Sequence, residues 1–178
     1  MNMESERLIL EEFTRGDFKK AESMPVNEAM LYFGVNTAEE VAMTIKKMHY
    51  RFVECSDGFI SWRIIEKKSN LTIGYAGFHA WVKLHDRAEL GYALNSAAHG
   101  KGYATEASVL VVEYGFDQLN LHRIEAYVGT ANLASQRILK KLGFSHEGMK
   151  KQHYKIGVEY SDSEVYGLVR PDYLKHKA

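Results

Sequence analysis

The residues best suited to chemistry in this 178-residue sequence lie in the stretch HGKGYATEA, His99 to Ala107. Glycines and a lysine precede a run, from Tyr103 onward, that is typical of a helix. The first turn of a helix leaves backbone N–H groups without partners and carries the positive end of the helix dipole, and both features attract anions. The stretch therefore indicates an anion site, with an ordinary glycine turn as the alternative interpretation.

Two well-known phosphate-binding patterns fit this stretch poorly. Aligned on Gly100 and Lys101, the P-loop pattern G-x-x-x-x-G-K-[ST] has Asn95 in place of its first glycine. Gly102 then stands where a Ser or Thr should hold magnesium. The Rossmann pattern G-x-G-x-x-G, begun at Gly100, has Thr105 in place of its third glycine. Neither pattern explains the loop.

A third pattern fits better. The sequence HGKGYA resembles the acetyl-CoA loop Q/R-x-x-G-x-G/A of the GCN5-related N-acetyltransferases (GNAT), with matches at Gly100, Gly102 and Ala104. His99 replaces the usual Gln or Arg. A β-carbon at either glycine would block a diphosphate or forbid the backbone angles that bring successive N–H groups to it. Lys101 either adds charge toward the CoA phosphates or is an ordinary solvated lysine.

The resemblance extends over most of the chain. The segments ERLILEEFTRGD, ELGYALN and NLASQRILKKLGFSHEG are similar, in this order, to segments of the RimJ/RimL-like branch of that family, whose members acetylate the N-termini of ribosomal proteins. The resemblance implies an enzyme that binds acetyl-CoA and an amine together. The amine would attack directly, without a covalent enzyme intermediate.

Catalytic roles follow from the same resemblance. An aliphatic amine is mostly protonated near pH 7, so its attack on a thioester requires a base. Glu89 has the position of the catalytic glutamate of several relatives, although it could be an ordinary strand carboxylate paired with Arg87. Leu139 stands where many relatives have a tyrosine that acts as the acid, and Ser135 matches a serine proposed for that role in this branch. Because the thiolate of a thiol with a pKa of ~8.5 leaves readily, the acid is the least necessary role.

Binding of CoA would use three kinds of group. The resemblance implies that a bulged and splayed strand donates N–H groups to the acetyl oxygen and the pantetheine amides. The glycine loop would bind the diphosphate, and a helix-capping asparagine would also contact CoA. By resemblance these groups belong to Tyr92, Ala93, Leu94, His99, Gly100, Lys101, Gly102, Tyr103, Ala104 and Asn132. Asp162 lies where the branch often has Asp, and is either structural or directed at the acceptor.

Helical segments are marked by capping residues. We expect a helical region from Asp17 as an N-cap, and a longer helix opened by a capping box of Thr37 and Glu40, with its apolar spacing continuing to Phe52. A helix should follow the glycine loop. Another is expected from Asn132 to a left-handed Gly143.

Strand patterns alternate with these helices. β-rich runs include RLILEEF, RAELGYALN, RIEAYV and the tail VEYSDSEVYGLV, and the turn KKSN indicates a hairpin between two more. The order predicts an α/β (α+β) domain with a mixed sheet. The family resemblance implies that the sheet is mostly antiparallel, with a splayed central strand and flanking helices.

Composition limits the alternatives. With 46% hydrophobic and 26% charged residues, the chain is expected to form one N-acetyltransferase domain over residues 1–178. A net charge of zero argues against a nucleic-acid partner, and no apolar run approaches the ~18 residues of a membrane span. The absence of a signal-peptide pattern and the single cysteine, Cys55, favour the cytoplasm. The eight histidines are dispersed, so no metal is expected.

The resulting hypothesis is an N-acetyltransferase that acts on a primary amine, in the first place a protein N-terminus. Acetylation of a small amine (a polyamine, an amino acid or an aminoglycoside) and a non-catalytic acyl-CoA-binding module remain open. A homodimer would be in keeping with the branch. A wall of acidic residues would favour a cationic acceptor, unless these residues only solvate helices. They are Glu22, Glu28, Glu39 and Glu40.

Overall fold

The computed structural model describes residues 1–50 and 58–177. Six α-helices occur in these ranges: α1 (Arg15–Glu22), α2 (Val26–Phe33), α3 (Ala38–His49), α4 (Tyr103–Asp117), α5 (Leu133–Lys141) and α6 (Arg170–Lys177). The strands are β1 (Met3–Glu4), β2 (Leu8–Glu12), β3 (Gly58–Glu66), β4 (Leu71–Val82), β5 (Arg87–Leu94), β6 (Arg123–Gly129), β7 (Ser145–Ile156) and β8 (Glu159–Val169).

The strands of the described residues form one mixed sheet in the order β1-β2-β3-β4-β5-β6-β8-β7. Each neighbouring pair is antiparallel except β5 and β6, which are parallel. The helix α4 connects these two strands, as the crossover between parallel neighbours requires. The expected α/β class with a mostly antiparallel sheet and flanking helices is confirmed.

The two faces of the sheet carry different layers. Trp62 of β3 is fully buried and meets Tyr114 of α4 at a ring distance of 4.9 Å, so α4 covers one face. Side chains alternate along a strand, which turns the neighbouring Arg63 to the other face. There its guanidinium lies 3.9 Å from the ring centre of Tyr32 in α2. The helices α1 to α3 share a second apolar cluster, which includes Phe13, Phe33 and Val41.

Helix caps mostly follow the sequence patterns. Thr37 and Glu40 form the expected capping box, and Asn132 caps α5. At the first helix the expected cap was wrong. Thr14 is the N-cap, and Asp17 is the third helical residue, whose carboxylate accepts from the Thr14 N–H at 2.9 Å. Asp17 therefore completes a capping box and does not begin the helix.

Three other features differ from the sequence expectations or fall beyond them. Phe52 and Cys55 lie outside the described residues, and the helix that begins after Thr37 is described to His49. The short edge strand β1 and the C-terminal helix α6 were not anticipated. Pro171 occupies the second position of α6, where a missing N–H costs nothing because first-turn N–H groups have no helical partner.

Candidate active site

The centre of the sheet opens where β5 and β6 separate. The two strands pair at only three positions, from Arg87 opposite Arg123 to Glu89 opposite Glu125, and their pairing ends there. Beyond Glu89 the strands enclose a cleft of about 270 Å³. Its walls include Glu89 and Tyr92 of β5, Val128 of β6, Asn132, Ser135 and Leu139 of the α5 region, and Tyr154 of β7. The splayed central strand of the sequence hypothesis is therefore present.

The free edge of β5 supplies hydrogen-bond donors to this cleft. The Asn95 N–H donates to the Ile73 carbonyl of β4 at 2.9 Å, and an antiparallel ladder alternates between bonded and non-bonded pairs. Since the Asn95 N–H is directed to β4, the Ala93 N–H two positions earlier is directed to β4 as well. The N–H groups of Tyr92 and Leu94, at the alternate positions, are directed to the side of β6. Of the three expected donors, Tyr92 and Leu94 fit the role and Ala93 does not.

The bulge expected in this strand was also misplaced. Positions 89 to 94 pair with 79 to 74 without a register shift, so β5 is regular. The extra residue lies in β4, between His79 and Val82, where Ala80 has a left-handed φ of 49°. The splay of β5 from β6 thus arises without a bulge in β5 itself.

The glycine loop leaves the end of β5 and leads into α4. Gly100 and Gly102 have φ values of 73° and 82°, a region that residues with a β-carbon rarely adopt. A β-carbon at Gly100 would meet no atom within 4 Å, so the backbone conformation and not crowding requires glycine there. Successive N–H groups converge on a concave anion site where the residues alternate between right-handed and left-handed backbone conformations. The N-terminus of α4 adds the positive end of its helix dipole. The loop therefore fits a diphosphate.

His99 and Lys101 differ in what they contribute to the loop. The His99 Nε2 lies 3.0 Å from the Leu94 carbonyl oxygen, which can only accept, so Nε2 carries the hydrogen. The ring thus fixes the loop to the end of β5. Lys101 is exposed, and its carbonyl accepts from an Arg7 guanidinium nitrogen at 3.0 Å.

The first turn of α4 is held from the sheet. Tyr103 donates its hydroxyl hydrogen to Glu66 at the end of β3, and the Arg7 guanidinium lies 4.6 Å from the centre of its ring. This tyrosine is therefore a support of the loop. Ala104, partly buried, follows it in the same turn. The support by Arg7 had no sign in the sequence, because the partners are far apart along the chain.

Glu89 has a partner that the sequence did not indicate. It is directly opposite His79 in the β4–β5 ladder, and the His79 Nε2 lies 2.8 Å from its Oε1. The side chain of Glu89 is 14% exposed, and that of His79 is 28% exposed. The alternative pairing with Arg87 is absent from the described ion pairs, since Arg87 contacts Glu125 at 3.0 Å.

The α5 region contributes the far wall of the cleft. The Asn132 Oδ1 accepts from the Ser135 N–H at 3.1 Å, which caps the helix, while the Ser135 carbonyl accepts from the Tyr92 hydroxyl at 3.4 Å. Leu139 is fully buried and offers no acid at the position where many relatives have a tyrosine. Ser135 and Glu89 thus border the same cleft.

A second phenol reaches the cleft from β7. Two extra residues between Lys150 and Tyr154 bulge this strand against β8, and the Gln152 N–H in the bulge donates to the Asp162 Oδ1 at 2.7 Å. Asp162 is therefore structural and shapes the bulge that precedes Tyr154. Burial raises the pKa of Tyr154 to about 12, with smaller contributions from the nearby negative charge of Glu89 and from Tyr127. No local sequence pattern marks such a bulge.

One of the four glutamates of the expected acidic surface, Glu40, is engaged in the N-terminal cap of α3. The Glu40 carboxylate accepts from the N–H groups of Asn36 and Thr37 at 2.6 and 3.2 Å, so it is engaged locally. Glu22, Glu28 and Glu39 are exposed on the helices. A cavity of about 410 Å³ beside α3 is bordered by both Glu40 and Lys47. This cavity is thus bordered by one negative and one positive side chain, and attraction of a cationic acceptor stays a prediction.

The described residues contain neither a cluster suited to a metal ion nor a membrane-spanning helix. Residues 1–50 and 58–177 contain no group of three His, Cys, Asp or Glu side chains placed to hold a metal ion. In the same ranges no helix is long and apolar enough to cross a membrane.

A cleft between parallel strands that separate, with a glycine loop and a helix N-terminus at its end, defines an acyl-CoA-dependent transferase of the GNAT type. The family model described as "Acetyltransferase (GNAT) domain" matches residues 7–145, and the chain belongs to this family. It is therefore an N-acetyltransferase, and the GNAT domain implies acetyl-CoA as its cosubstrate.

Individual proteins agree with this assignment. The chain is 36% identical over 172 residues to the uncharacterized N-acetyltransferase YoaA of Bacillus subtilis, which covers 95% of this chain and 97% of the relative. It is 35% identical over 95 residues to the spermidine N(1)-acetyltransferase of Escherichia coli, and the matched segment covers 53% of this chain and 51% of that protein. The crystal structure of a GNAT-family acetyltransferase from Bacillus anthracis matches with a TM-score of 0.68 and 27% identity, covering 95% and 98% of the two chains.

Proposed function

We propose that residues 1–178 form a single N-acetyltransferase domain of the RimJ/RimL-like branch, which transfers an acetyl group from acetyl-CoA to a primary amine. The observation that carries the proposal is the end of the β5–β6 pairing at Glu89, with the glycine loop at the other end of the same strand. One strand thus connects a carboxylate, free N–H donors and an anion site. A cytoplasmic homodimer without nucleic-acid or membrane partners belongs to the same proposal.

Different groups of the chain bind different parts of acetyl-CoA, which supplies the activated acyl group. The loop from His99 to Ala104 holds the diphosphate through its N–H groups and the N-terminus of α4. The N–H groups of Tyr92 and Leu94 donate to the thioester oxygen and the pantetheine amides, and stabilise the negative charge that develops on that oxygen. Asn132 orders the first turn of α5 beside the cleft.

The catalytic groups have separate tasks. Glu89 removes the proton that the attacking amine must lose, directly or through a partner. A CoA thiolate needs little assistance, so Ser135 serves at most as a weak hydrogen-bond donor to it. The amine attacks while both substrates are bound, without a covalent enzyme intermediate, and Cys55 lies outside the segments that resemble the family.

The acceptor that we propose first is a protein N-terminus, on the strength of the RimJ/RimL-like segments. A small cationic amine is the second candidate, because the E. coli spermidine N(1)-acetyltransferase is similar over 53% of this chain. The cavity beside α3 is bordered by one negative and one positive side chain, Glu40 and Lys47, so the amine panel tests attraction of a cation.

A thiol-release assay with a panel of amines tests this proposal. The panel contains peptides with a free N-terminus, the same peptides with a blocked N-terminus but free lysines, spermidine, and a neutral-bodied amine such as phenethylamine. Turnover confined to free N-termini would support the first acceptor. Equal turnover of the blocked peptides would assign lysine side chains instead, and turnover of spermidine alone would favour the second candidate. Tight acetyl-CoA binding without turnover of any amine would overturn the function.

A further inference from the structure

A histidine stands beside the candidate base in the cleft. His79 of β4 and Glu89 of β5 are opposite each other in the antiparallel ladder, with Nε2 and Oε1 separated by 2.8 Å. An ionised carboxylate only accepts hydrogen bonds, so the contact requires a hydrogen on Nε2. The neutral imidazole then has its lone pair on Nδ1, which is the atom able to accept a proton.

The free edge of this imidazole lies over a glycine. A β-carbon built on Gly91 would come within 2.6 Å of the His79 Cε1 and 3.0 Å of its Nδ1. Real β-carbons do not approach other atoms so closely, so any other residue at position 91 would displace the ring. Glycine at position 91 therefore leaves the space that the Cε1–Nδ1 edge of the His79 ring occupies.

His79 also lies at the junction of two cavities. Together with Gly91 and Tyr92 it borders both the cleft between β5 and β6 and a smaller cavity of about 150 Å³, whose walls include Phe59 and Tyr75. An acceptor that enters through the smaller cavity would pass the imidazole before it reached the separated strands. Among described residues, the other titratable side chains bordering these two spaces are Glu89, Tyr75, Tyr92, Tyr127 and Tyr154.

We propose that His79 is a further catalytic residue, whose Nδ1 accepts the proton of the acceptor amine while Glu89 orients the ring and stabilises the imidazolium. This inference rests on the proposed function. As the nitrogen attacks, its bond to the acyl carbon forms and the bond from that carbon to sulfur breaks. A protonated amine first loses one proton, which Nδ1 accepts and releases to water. The second proton, lost as the neutral nitrogen attacks, passes to Nδ1 and from the imidazolium to the departing thiolate, so that the amide, the free thiol and one released proton result.

The chemistry of the two side chains favours this division. A base works best when its pKa lies near the working pH, and an unperturbed imidazole, at ~6.5, is closer to neutrality than an unperturbed carboxylate, at ~4.3. A buried carboxylate paired with imidazole is the arrangement that fixes the tautomer and orientation of catalytic histidines. Tyr154, whose pKa is raised to about 12, retains its proton and does not compete as a base.

The test compares His79→Gln with His85→Gln, an exposed histidine in the turn before β5. For the substrate that the amine panel identifies, we expect His79→Gln to lower kcat by about 100-fold at pH 7 and to lose the acid-side limb of the pH–rate profile. Its affinity for acetyl-CoA should stay within twofold, and imidazole should restore part of the activity of His79→Ala. His85→Gln should match the unaltered enzyme.

Gly91→Ala provides a second variant that keeps every titratable group. Its β-carbon displaces the His79 ring, so we expect kcat to fall by about tenfold or more. If kcat of His79→Gln is within threefold of that of the unaltered enzyme, His79 is not the base. The same holds if its activity falls only because acetyl-CoA binds more weakly. Either result would leave the proposed function intact. An unaltered protein that binds acetyl-CoA and acetylates no amine would overturn the proposed function, and this role with it.

Discussion

Arg7, just before β2, and Glu106, in the first turn of α4, form an ion pair across 99 positions of sequence, with Nε and Oε2 separated by 2.7 Å. The same guanidinium donates to the Lys101 carbonyl at 3.0 Å, and the Ser5 hydroxyl donates to Glu106 at 2.7 Å. The N-terminal segment thus holds both the glycine loop and the helix that follows it. Its contacts fix the loop from the side of the sheet.

Removal of Arg7 should therefore weaken the anion site without removing any group from it. We expect Arg7→Ala to raise the Kd for CoA by about tenfold, because the Lys101 carbonyl and Glu106 lose a charged donor. Arg7→Lys should be intermediate, since an ammonium cannot contact both acceptors with a planar fork. Calorimetric titration measures the effect, and Lys19→Ala, which alters an exposed side chain of α1, is the control. An unchanged Kd for Arg7→Ala would exclude this support.

Stability should depend on pH through Glu106. Burial acts to raise its pKa, but hydrogen bonds from Ser5 and Arg7 outweigh burial and hold the pKa below its ordinary value. A carboxylate with a lowered pKa in the folded state contributes stability above its unfolded value of ~4.3, and the contribution is lost as pH falls through the folded value. The difference in Tm between the unaltered protein and Glu106→Gln should thus be larger at pH 7 than at pH 3.5. A difference that grows on acidification would contradict this account.

The glycine loop can be tested with a matched pair of glycines. Gly100 and Gly157 have similar left-handed φ values, 73° and 63°, and a β-carbon at either would meet no atom within 4 Å. Alanine should cost each of them a similar ~1 kcal/mol of stability, because only the backbone conformation is strained. Gly100→Ala should also weaken CoA binding severalfold, whereas Gly157→Ala, in the β7–β8 turn, should leave it unchanged. Equal CoA affinity for the two variants would remove Gly100 from the anion site.

The features that the sequence could predict depend on residues that are close to one another along the chain. The capping box of Thr37 and Glu40, the cap at Asn132 and the left-handed Gly143 are all local, because each involves contacts within a few positions. The glycine loop before α4 is local in the same sense. At Asp17 the pattern was ambiguous, because Thr14 three residues earlier completes the same capping box.

The rest of the site depends on register, which the sequence alone does not determine. His79 meets Glu89 only because the β4–β5 ladder aligns them, and Tyr154 follows a bulge of two extra residues in β7. Ala93 was assigned a donor role that ladder alternation gives to its neighbours. A shift of one position reverses the direction of every side chain and N–H group in a strand, so family resemblance located the strand but not its donors.

Glu89 should matter most when the amine is protonated. We expect Glu89→Gln to lower the rate by about 10²-fold near pH 7, because the neutral amide neither accepts the proton nor stabilises an imidazolium at His79. The loss should shrink above pH 9, where more of the amine is already neutral. Steady-state rates between pH 6 and 10 provide the measurement, with the exposed Glu39→Gln as the control. A Glu89→Gln rate within twofold of the unaltered enzyme at pH 7 would remove this carboxylate from the mechanism.

Among the described residues, four hydroxyl side chains border the cleft. Tyr92 donates to the Ser135 carbonyl and Tyr127 donates to Glu125, so we take Ser135 and Tyr154 as the candidate donors to the leaving thiolate. Because its pKa is raised to about 12, Tyr154 keeps its hydrogen throughout the working range, so it can donate a hydrogen bond at every pH from 6 to 10. It is a weaker acid than a thiol of pKa ~8.5, so a hydrogen bond to sulfur is favoured over full proton transfer, and its contribution should be modest.

We therefore expect Tyr154→Phe to lower kcat by about fivefold with no dependence on pH, in contrast to Glu89→Gln, and Ser135→Ala to have a smaller effect. Tyr160→Phe, an exposed tyrosine on β8, should be neutral. Pre-steady-state measurement of thiol release separates this step from product release. A larger loss for Ser135→Ala than for Tyr154→Phe would reverse the ranking, and a loss for Tyr154→Phe that disappears at high pH would assign the phenol to the amine side of the reaction.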